Sequence, residues 1–331
     1  MSIAMIEMMV ASVLDKSKDE IRREIIESSI FFHLASVANM VKGVRYKRYG
    51  CEEDRIVNYF GIVLAESGRG KDFSMDNIER LFTPFVEPYG KNLSSFFGAR
   101  YAKVSESVLL DSMKQNYAIA TGLKTSIEGT GEGFQKLMQG MSILPEFSIN
   151  IIHGELGDIL MNATMLSRLK EAWTHGSGKG KTTASGGYFD VVGVPVNVSL
   201  HGAPYSIQND RHKLEKLKEE IIQGFGRRSF IYLQPTSKII PNAIYKTMDK
   251  DDKNELNTMC EMFFSFSKSG RTLKVSEEAT SILDNYIISL KDDYNNGDLH
   301  NKIKQSIVGS EMKIEKLSCI IAMADFSDNT R

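Results

Sequence analysis

Apolar positions recur at helical spacing from the start of the chain. Met1 to Leu14 is apolar and Met-rich, interrupted by Glu7, which predicts an amphipathic helix. Ile21, Ile25, Ile26, Ile30 and Phe31 repeat between charges, and Phe32 to Val41 continues the apolar run. Residues 1–48 therefore read as a helical region that closes on the basic cluster Lys42, Arg45, Lys47 and Arg48. The period then changes. Ile56 to Leu64 is a short run of β-branched and aromatic residues, the pattern of a buried strand. A Gly-rich turn follows it, and then Phe73, Ile78, Leu81 and Phe82 at helical spacing.

The alternation continues. Ser107 to Gln115 reads as helix, Tyr117 to Leu123 as a short strand, and Phe134 to Met141 as a short helix. Phe147 to Ile152 predicts a second buried strand ending in His153-Gly154-Glu155, and Leu156 to Trp173 a single long helix. Thr174 to Gly187 is too rich in Gly and Ser to pack and reads as a mobile loop. Tyr188 to Val192, Val194 to Leu200 and Ser229 to Leu233 are strand candidates around a charged helix from Asp210 to Gln223. Charges dominate from Pro241 to Leu256, and two helical patterns, Ser276 to Tyr294 and Ile303 to Ala324, close the chain. Strands alternating with helices between about residues 56 and 235 predict an α/β sheet core with helical segments on both sides.

Composition narrows the function classes. With 331 residues, 42% apolar and 25% charged, the chain is long enough for about two domains of ~150 residues, or one large α/β domain with helical appendages. A net charge of −1 provides no global field for nucleic acid, so any such contact needs a local patch. Cys51, Cys260 and Cys319 are odd in number and far apart, which supports neither a disulfide framework nor a zinc site and fits a reducing cytoplasm. No apolar run approaches the roughly 20 residues of a membrane span, and the acidic interruption at Glu7 argues against a signal peptide.

Two segments nearly fit a phosphate-binding loop, which needs Gly for backbone N–H groups to face phosphate, a Lys to reach it, and usually a Ser or Thr for Mg²⁺. Ala65-Glu66-Ser67-Gly68-Arg69-Gly70-Lys71 is followed by Asp72 where the hydroxyl belongs. His175 to Thr182 has Gly180, Lys181 and a correct Thr182. The first follows a strand and opens a helix, whose dipole would add to the site; the second follows a helix. The first is therefore the nucleotide-loop candidate. Asp72 is a candidate metal ligand, at the cost of negative charge beside the phosphates. Glu155, at the end of the second strand, is the candidate general base and a second metal ligand; the ordinary alternative is a helix N-terminal acid. His201 ends a third strand, either as a group that senses the terminal phosphate or as a hydrogen-bonded turn histidine. Arg227 and Arg228 lie between a helix and a strand, where one of them would serve a neighbouring subunit's nucleotide or simply pair on the surface. Lys179, Lys181 and Thr182 are groups that hold a nucleic-acid backbone without reading sequence.

In this order the elements resemble a family of phage, plasmid and bacterial helicase-like proteins, often primase-associated and related to superfamily-three and DnaB-type ATPases. The resemblance rests on Leu64 to Lys71, Gly154-Glu155-Leu156-Gly157-Asp158, His201-Gly202-Ala203-Pro204 and Gly224-Phe225-Gly226-Arg227-Arg228, and spans roughly residues 25 to 325. It implies a P-loop NTPase core with a RecA/AAA-like parallel sheet over 49–245, flanked by helical regions at 1–48 and 246–331. It also implies an ATP- and Mg²⁺-dependent motor, assembled as a homo-oligomeric ring such as a hexamer, acting on single-stranded DNA in phage or mobile-element replication. The departures, Asp72 and Gly154, both fall at metal-handling positions and keep a second expectation open: a nucleotide-binding assembly protein with weak or no hydrolysis.

Overall fold

The computed structural model describes residues 2–17, 21–40, 43–86, 99–101, 148–176, 178–179, 190–191, 193–234, 248–268, 270–296, 310–326 and 329–330. The expected elements at Ser107 to Gln115, Tyr117 to Leu123 and Phe134 to Met141 lie outside these residues.

A parallel sheet forms the centre. Its strands are β3 (Phe60–Leu64), β4 (Ala99–Tyr101), β5 (Ile149–His153), β8 (Val196–Gly202) and β9 (Phe230–Leu233), in the spatial order β4-β5-β8-β3-β9, and each neighbouring pair is parallel. β3, β5 and β8 are buried along their whole length, as strands covered on both faces must be. Successive side chains face opposite ways. Ile62 and Leu64 of β3, Ile149 and Ile151 of β5, and Val196, Val198 and Leu200 of β8 join one apolar cluster. It is completed by α4 (Leu156–Leu160), α5 (Ala163–His175), α6 (Pro204–Gln208), α7 (Arg211–Gln223) and α8 (Phe225–Arg228). Val63 and Ile152 face the other cluster.

That second cluster unites both ends of the chain. α1 (Ser2–Lys16), α2 (Arg23–Ala38), α3 (Lys71–Val86), α9 (Lys250–Ser267) and α11 (Ser310–Ala324) all contribute to it. α2 is buried from Ile25 to Ala38 apart from Glu27, so it has almost no solvent face. A smaller sheet pairs β1 (Arg45–Lys47) in parallel with β10 (Thr272–Val275), β1 antiparallel with β2 (Asp54–Ile56), and β10 with β11 (Asn329–Thr330). β6 (Gly178–Lys179) pairs antiparallel with β7 (Asp190–Val191), and α10 (Glu277–Asn296) lies between β10 and α11 in the chain. Among the described residues no helix is long and apolar enough to cross a membrane.

Four expectations change. Residues 1–48 are not helical to the end, because Arg45 to Lys47 extend as β1 against β10. The run Ile56 to Leu64 is two strands of different sheets. The chain crosses between them at Val57 to Tyr59, where Val57 N–H donates to Val44 O at 3.0 Å and Tyr59 N–H to Asn197 Oδ1 at 3.0 Å. The helix from Leu156 to Trp173 breaks at Met161, because the Asn162 side chain accepts from Met165 N–H at 3.0 Å and starts a new helix. The charged stretch before Leu256 opens α9, capped by Asp249 accepting from Asp252 N–H at 2.8 Å. Its charges occupy the outer face, while Leu256, Cys260, Phe263, Phe264 and Ser267 are buried.

The face of β8 turned away from the apolar cluster is polar: Asn197, Ser199 and His201 are all buried. Asn197 accepts from Tyr59 N–H and donates through Nδ2 to Asn150 Oδ1 at 2.9 Å. Asn197→Val, nearly equal in size, takes one hydrogen bond from each partner, Tyr59 N–H and Asn150 Oδ1, in a buried interior. It should cost about 2 kcal/mol of folding free energy, read as a lower urea midpoint at unchanged slope; an unchanged midpoint would refute this account of Asn197.

Candidate functional site

All strands of the central sheet run the same way, so their C-terminal ends share one edge, and loops there converge. The strand ends at Leu64, His153 and Gly202 deliver three of the expected segments to that edge. After β3 the chain turns tightly. Gly68 and Gly70 take positive φ of 77° and 79°, a region that favours glycine. Lys71 then opens α3, whose first-turn bond runs from Ser74 N–H to Gly70 O at 2.8 Å. Ala65 N–H donates to Gly202 O at 3.0 Å, and Gln234 N–H to Leu64 O at 2.9 Å, which ties the loop to both neighbouring strands. Strand, Gly-rich turn and helix thus occur at the first candidate loop, as expected. The second follows a helix: α5 ends on Gly176 in the left-handed region, and Gly178–Lys179 pairs with Asp190–Val191. Lys181 and Thr182 lie outside the described residues, and of the three expected backbone-binding groups only Lys179 is within them, in β6.

The loop opens on a cavity of about 820 Å³ lined by Ser67 to Phe73, by Gly154 and Glu155 after β5, and by His201, Ala203 and Ser206 after β8. Lys16, Ser17 and Ile21 line it as well. The Lys71 ammonium donates to Ala65 O and, at 3.0 Å, to Glu66 O. Burial pushes its pKa down, opposed by the charges of Asp72, Glu66 and Glu155. Glu66 is not turned to the cavity chemistry: its Oε1 accepts from Tyr205 N–H at 3.0 Å at the start of α6. Arg69 is buried and lines the cavity.

His201 is held rather than exposed. Its Nε2 and Ser199 Oγ are 3.1 Å apart, which fixes the ring, while Nδ1 is buried without a hydrogen-bond partner. Asp72 Oδ1 lies 3.8 Å from that Nδ1, too far for a hydrogen bond. The Asp72 carboxylate is mostly exposed at the cavity. Glu155 is exposed at the first position before α4, and its N–H donates to His153 Nδ1 at 3.0 Å. Asp158, one turn on, instead faces Lys213 at 3.8 Å. Among the described residues no three His, Cys, Asp or Glu side chains come together as a metal cage. A divalent ion at Asp72 and Glu155 would have to complete its shell with ligand oxygens and water.

Arg227 and Arg228 do not share this cavity. They precede β9 and so sit at the N-terminal edge of the parallel sheet, the far end from Lys71. There they line a separate cleft of about 350 Å³ with Arg48, Arg55, Trp173 and Glu311. Arg228 donates to Gly224 O at 2.8 Å, and its pKa is lowered by burial and by the charge of Arg227. Sequence reasoning missed Lys16, Ser17, Ile21 and Ser206 as cavity residues. Their only local signal is helix amphipathicity or a Pro-led turn, neither of which points at a site roughly 50 to 140 residues away in the chain. Comparison of the sequence with protein-family models and with curated proteins gives no match.

The two loop glycines make separable predictions. A Cβ on Gly68 meets nothing within 4 Å, whereas one on Gly70 would come within 2.5 Å of Ile21 Cδ1. Gly68→Ala should cost about 1 kcal/mol from positive φ alone. Gly70→Val should cost more, because buried Ile21 must also move. Thermal melts giving the reverse order would refute this packing of the loop against Ile21.

Proposed function

We propose that the chain is a P-loop nucleoside triphosphatase that binds ATP with Mg²⁺ at Ala65 to Asp72. One observation carries the reading: Lys71 at the start of α3, the acid Glu155 after β5 and His201 after β8, whose buried Nδ1 has no hydrogen-bond partner, line one cavity. The sheet order supports it. β8 lies between the loop strand β3 and the acid strand β5, which sets a polar strand end beside both, an arrangement in keeping with a RecA/AAA-like core.

Each group has a role that its chemistry allows. Backbone N–H groups from Gly68 to Lys71, with the dipole of α3, receive phosphate oxygens. The Lys71 ammonium would exchange its two carbonyl acceptors for phosphate, a stronger charge-assisted bond. His201 Nδ1 is an unsatisfied polar atom that a phosphate or its bound water would satisfy. Glu155 is exposed to the cavity and is the group available to orient and deprotonate an attacking water. A divalent ion held through Asp72 and Glu155 would supply charge neutralisation at the phosphates.

The finer reading, a ring-forming motor on single-stranded DNA, is proposed from the family resemblance. The site of Arg227 and Arg228 at the opposite sheet edge supports it to this extent: they cannot serve the nucleotide of their own chain, so a role at phosphate requires a second copy. A second reading, nucleotide binding without efficient turnover, is favoured by Asp72, a carboxylate facing the phosphate region with no third acidic ligand among the described residues.

ATP hydrolysis measured with and without single-stranded DNA separates the readings. Lys71→Ala should abolish ATP binding and Lys181→Ala leave it largely intact; the opposite ranking in nucleotide titrations would sink the choice of loop. Binding that depends on Lys71 without turnover would favour the second reading. Arg227→Ala or Arg228→Ala should remove hydrolysis, by ~10³-fold or more, while preserving nucleotide binding. Mixing that variant with Lys71→Ala should then restore part of the rate. Arginine variants that hydrolyse ATP normally would end the ring-motor reading.

A further inference from the structure

Part of the cavity wall comes from the N-terminal helices. Lys16 and Ser17, where α1 ends, and Ile21, just before α2, line it together with Gly68 to Phe73. The residues on either side are anchored. Ile21 is buried against Gly70, and Asp15 pairs with Lys253 of α9 at 3.3 Å. The loop and the end of α1 therefore meet across the same space.

Lys16 adds positive charge to that space. Among the described residues the lining cations are Lys16, Arg69 and Lys71, and the lining carboxylates are Asp72 and Glu155. Among these groups the two signs balance without Lys16, and with it the balance favours a polyphosphate. Partial burial, and after it the charges of Arg80 and Lys253, push the Lys16 pKa down, with Asp15 opposing them, and Asp15 is engaged with Lys253. An anion in the cavity would relieve that repulsion. The charge cost of Asp72, where other phosphate loops carry a hydroxyl, has the same remedy.

We propose that Lys16 is a second phosphate-binding cation of this cavity, supplied by α1 to the polyphosphate tail of the nucleotide. This rests on the nucleotide reading of the Ala65 to Asp72 loop. The N-terminal helix is then part of the ligand site rather than an appendage to it.

The test is calorimetric titration of the full chain with ATP and, separately, with inorganic tripolyphosphate, which lacks base and sugar. Lys16→Ala should weaken both by about tenfold, the scale of one charge-assisted hydrogen bond. Lys16→Arg should keep most of the affinity. Arg80→Ala removes a nearby cation that does not line the cavity, and should change affinity less than about twofold because solvent screens it. Lys16 is exposed, so circular dichroism should find the Lys16→Ala fold intact. If Lys71→Ala abolishes binding while Lys16→Ala binds like wild type, the proposal falls and the nucleotide reading stands. If Arg80→Ala weakens binding as much as Lys16→Ala, the effect is a general field and the proposal also falls. If the wild type binds neither probe, both fall together.

Discussion

A helix without a solvent face organises this molecule. From Ile25 to Ala38, α2 is enclosed by α1, α3, α9 and α11 and by the sheet strands β3, β8 and β9. Such a helix must satisfy much of its side-chain polarity locally, and α2 does so for Ser29, Ser36 and one nitrogen of His33. Ser29 donates to Ile25 O, Ser36 donates to Phe32 O, and His33 Nδ1 meets Ser29 O at 2.7 Å. Its C-terminal turn is closed by Asn39, which donates to Ala35 O and Val57 O and accepts from Val44 N–H. One side chain thus ends the helix, fixes the entry to β1 and holds the crossing toward β3. Close approach is also required on the sheet side. A Cβ on Gly61 of β3 would fall 3.0 Å from Ser28 Oγ, and that hydroxyl lies 3.1 Å from Tyr59 OH.

The polar row of β8 follows from the same packing. One face of β8 is apolar and joins the α4–α8 side, while Asn197, Ser199 and His201 occupy the other. Polar groups at such depth are tolerated only when paired, and Asn197 and Ser199 are. The row ends at the cavity, where His201 Nδ1 is left without a partner. A buried row that is satisfied along its length and unsatisfied at its far end places polarity beside the cavity. The ring of His201 is fixed by Ser199 before any ligand arrives, which is the kind of preorganisation that binding sites need.

The carboxyl-terminal helices are fastened by charge as well as by apolar contact. Lys316 of α11 is fully buried. It donates to Asn58 Oδ1 and Trp173 O, and it stands over the Trp173 ring at 4.0 Å. Burial lowers its pKa strongly. Glu315 beside it accepts from Tyr46 OH at 2.9 Å and faces Arg48 and Arg55 at 3.4 Å each. These bonds link α11 to β1, to β2, to the crossing before β3 and to the end of α5. Chain segments separated by more than 250 residues therefore hold the sheet edge opposite the cavity.

The sequence by itself determined what depends on local patterns. Alternating buried runs and amphipathic helices announced an α/β core, and Gly68, Gly70 and Lys71 between a strand and a helix marked the loop, because backbone geometry and periodicity are written in consecutive residues. The same rule explains the misreadings. Val57 to Tyr59 looks like strand interior until Asn197, over 130 residues away, captures the Tyr59 N–H. Arg45 to Lys47 has no strand signal of its own and extends only because β10 lies beside it. Only the tertiary structure decided that Glu155 and His201 face the cavity of Lys71, that Arg227 and Arg228 do not, and that Lys16 does. Strand order brings those side chains together or keeps them apart, and strand order depends on pairings between segments far apart in the chain, a constraint no local window of sequence contains.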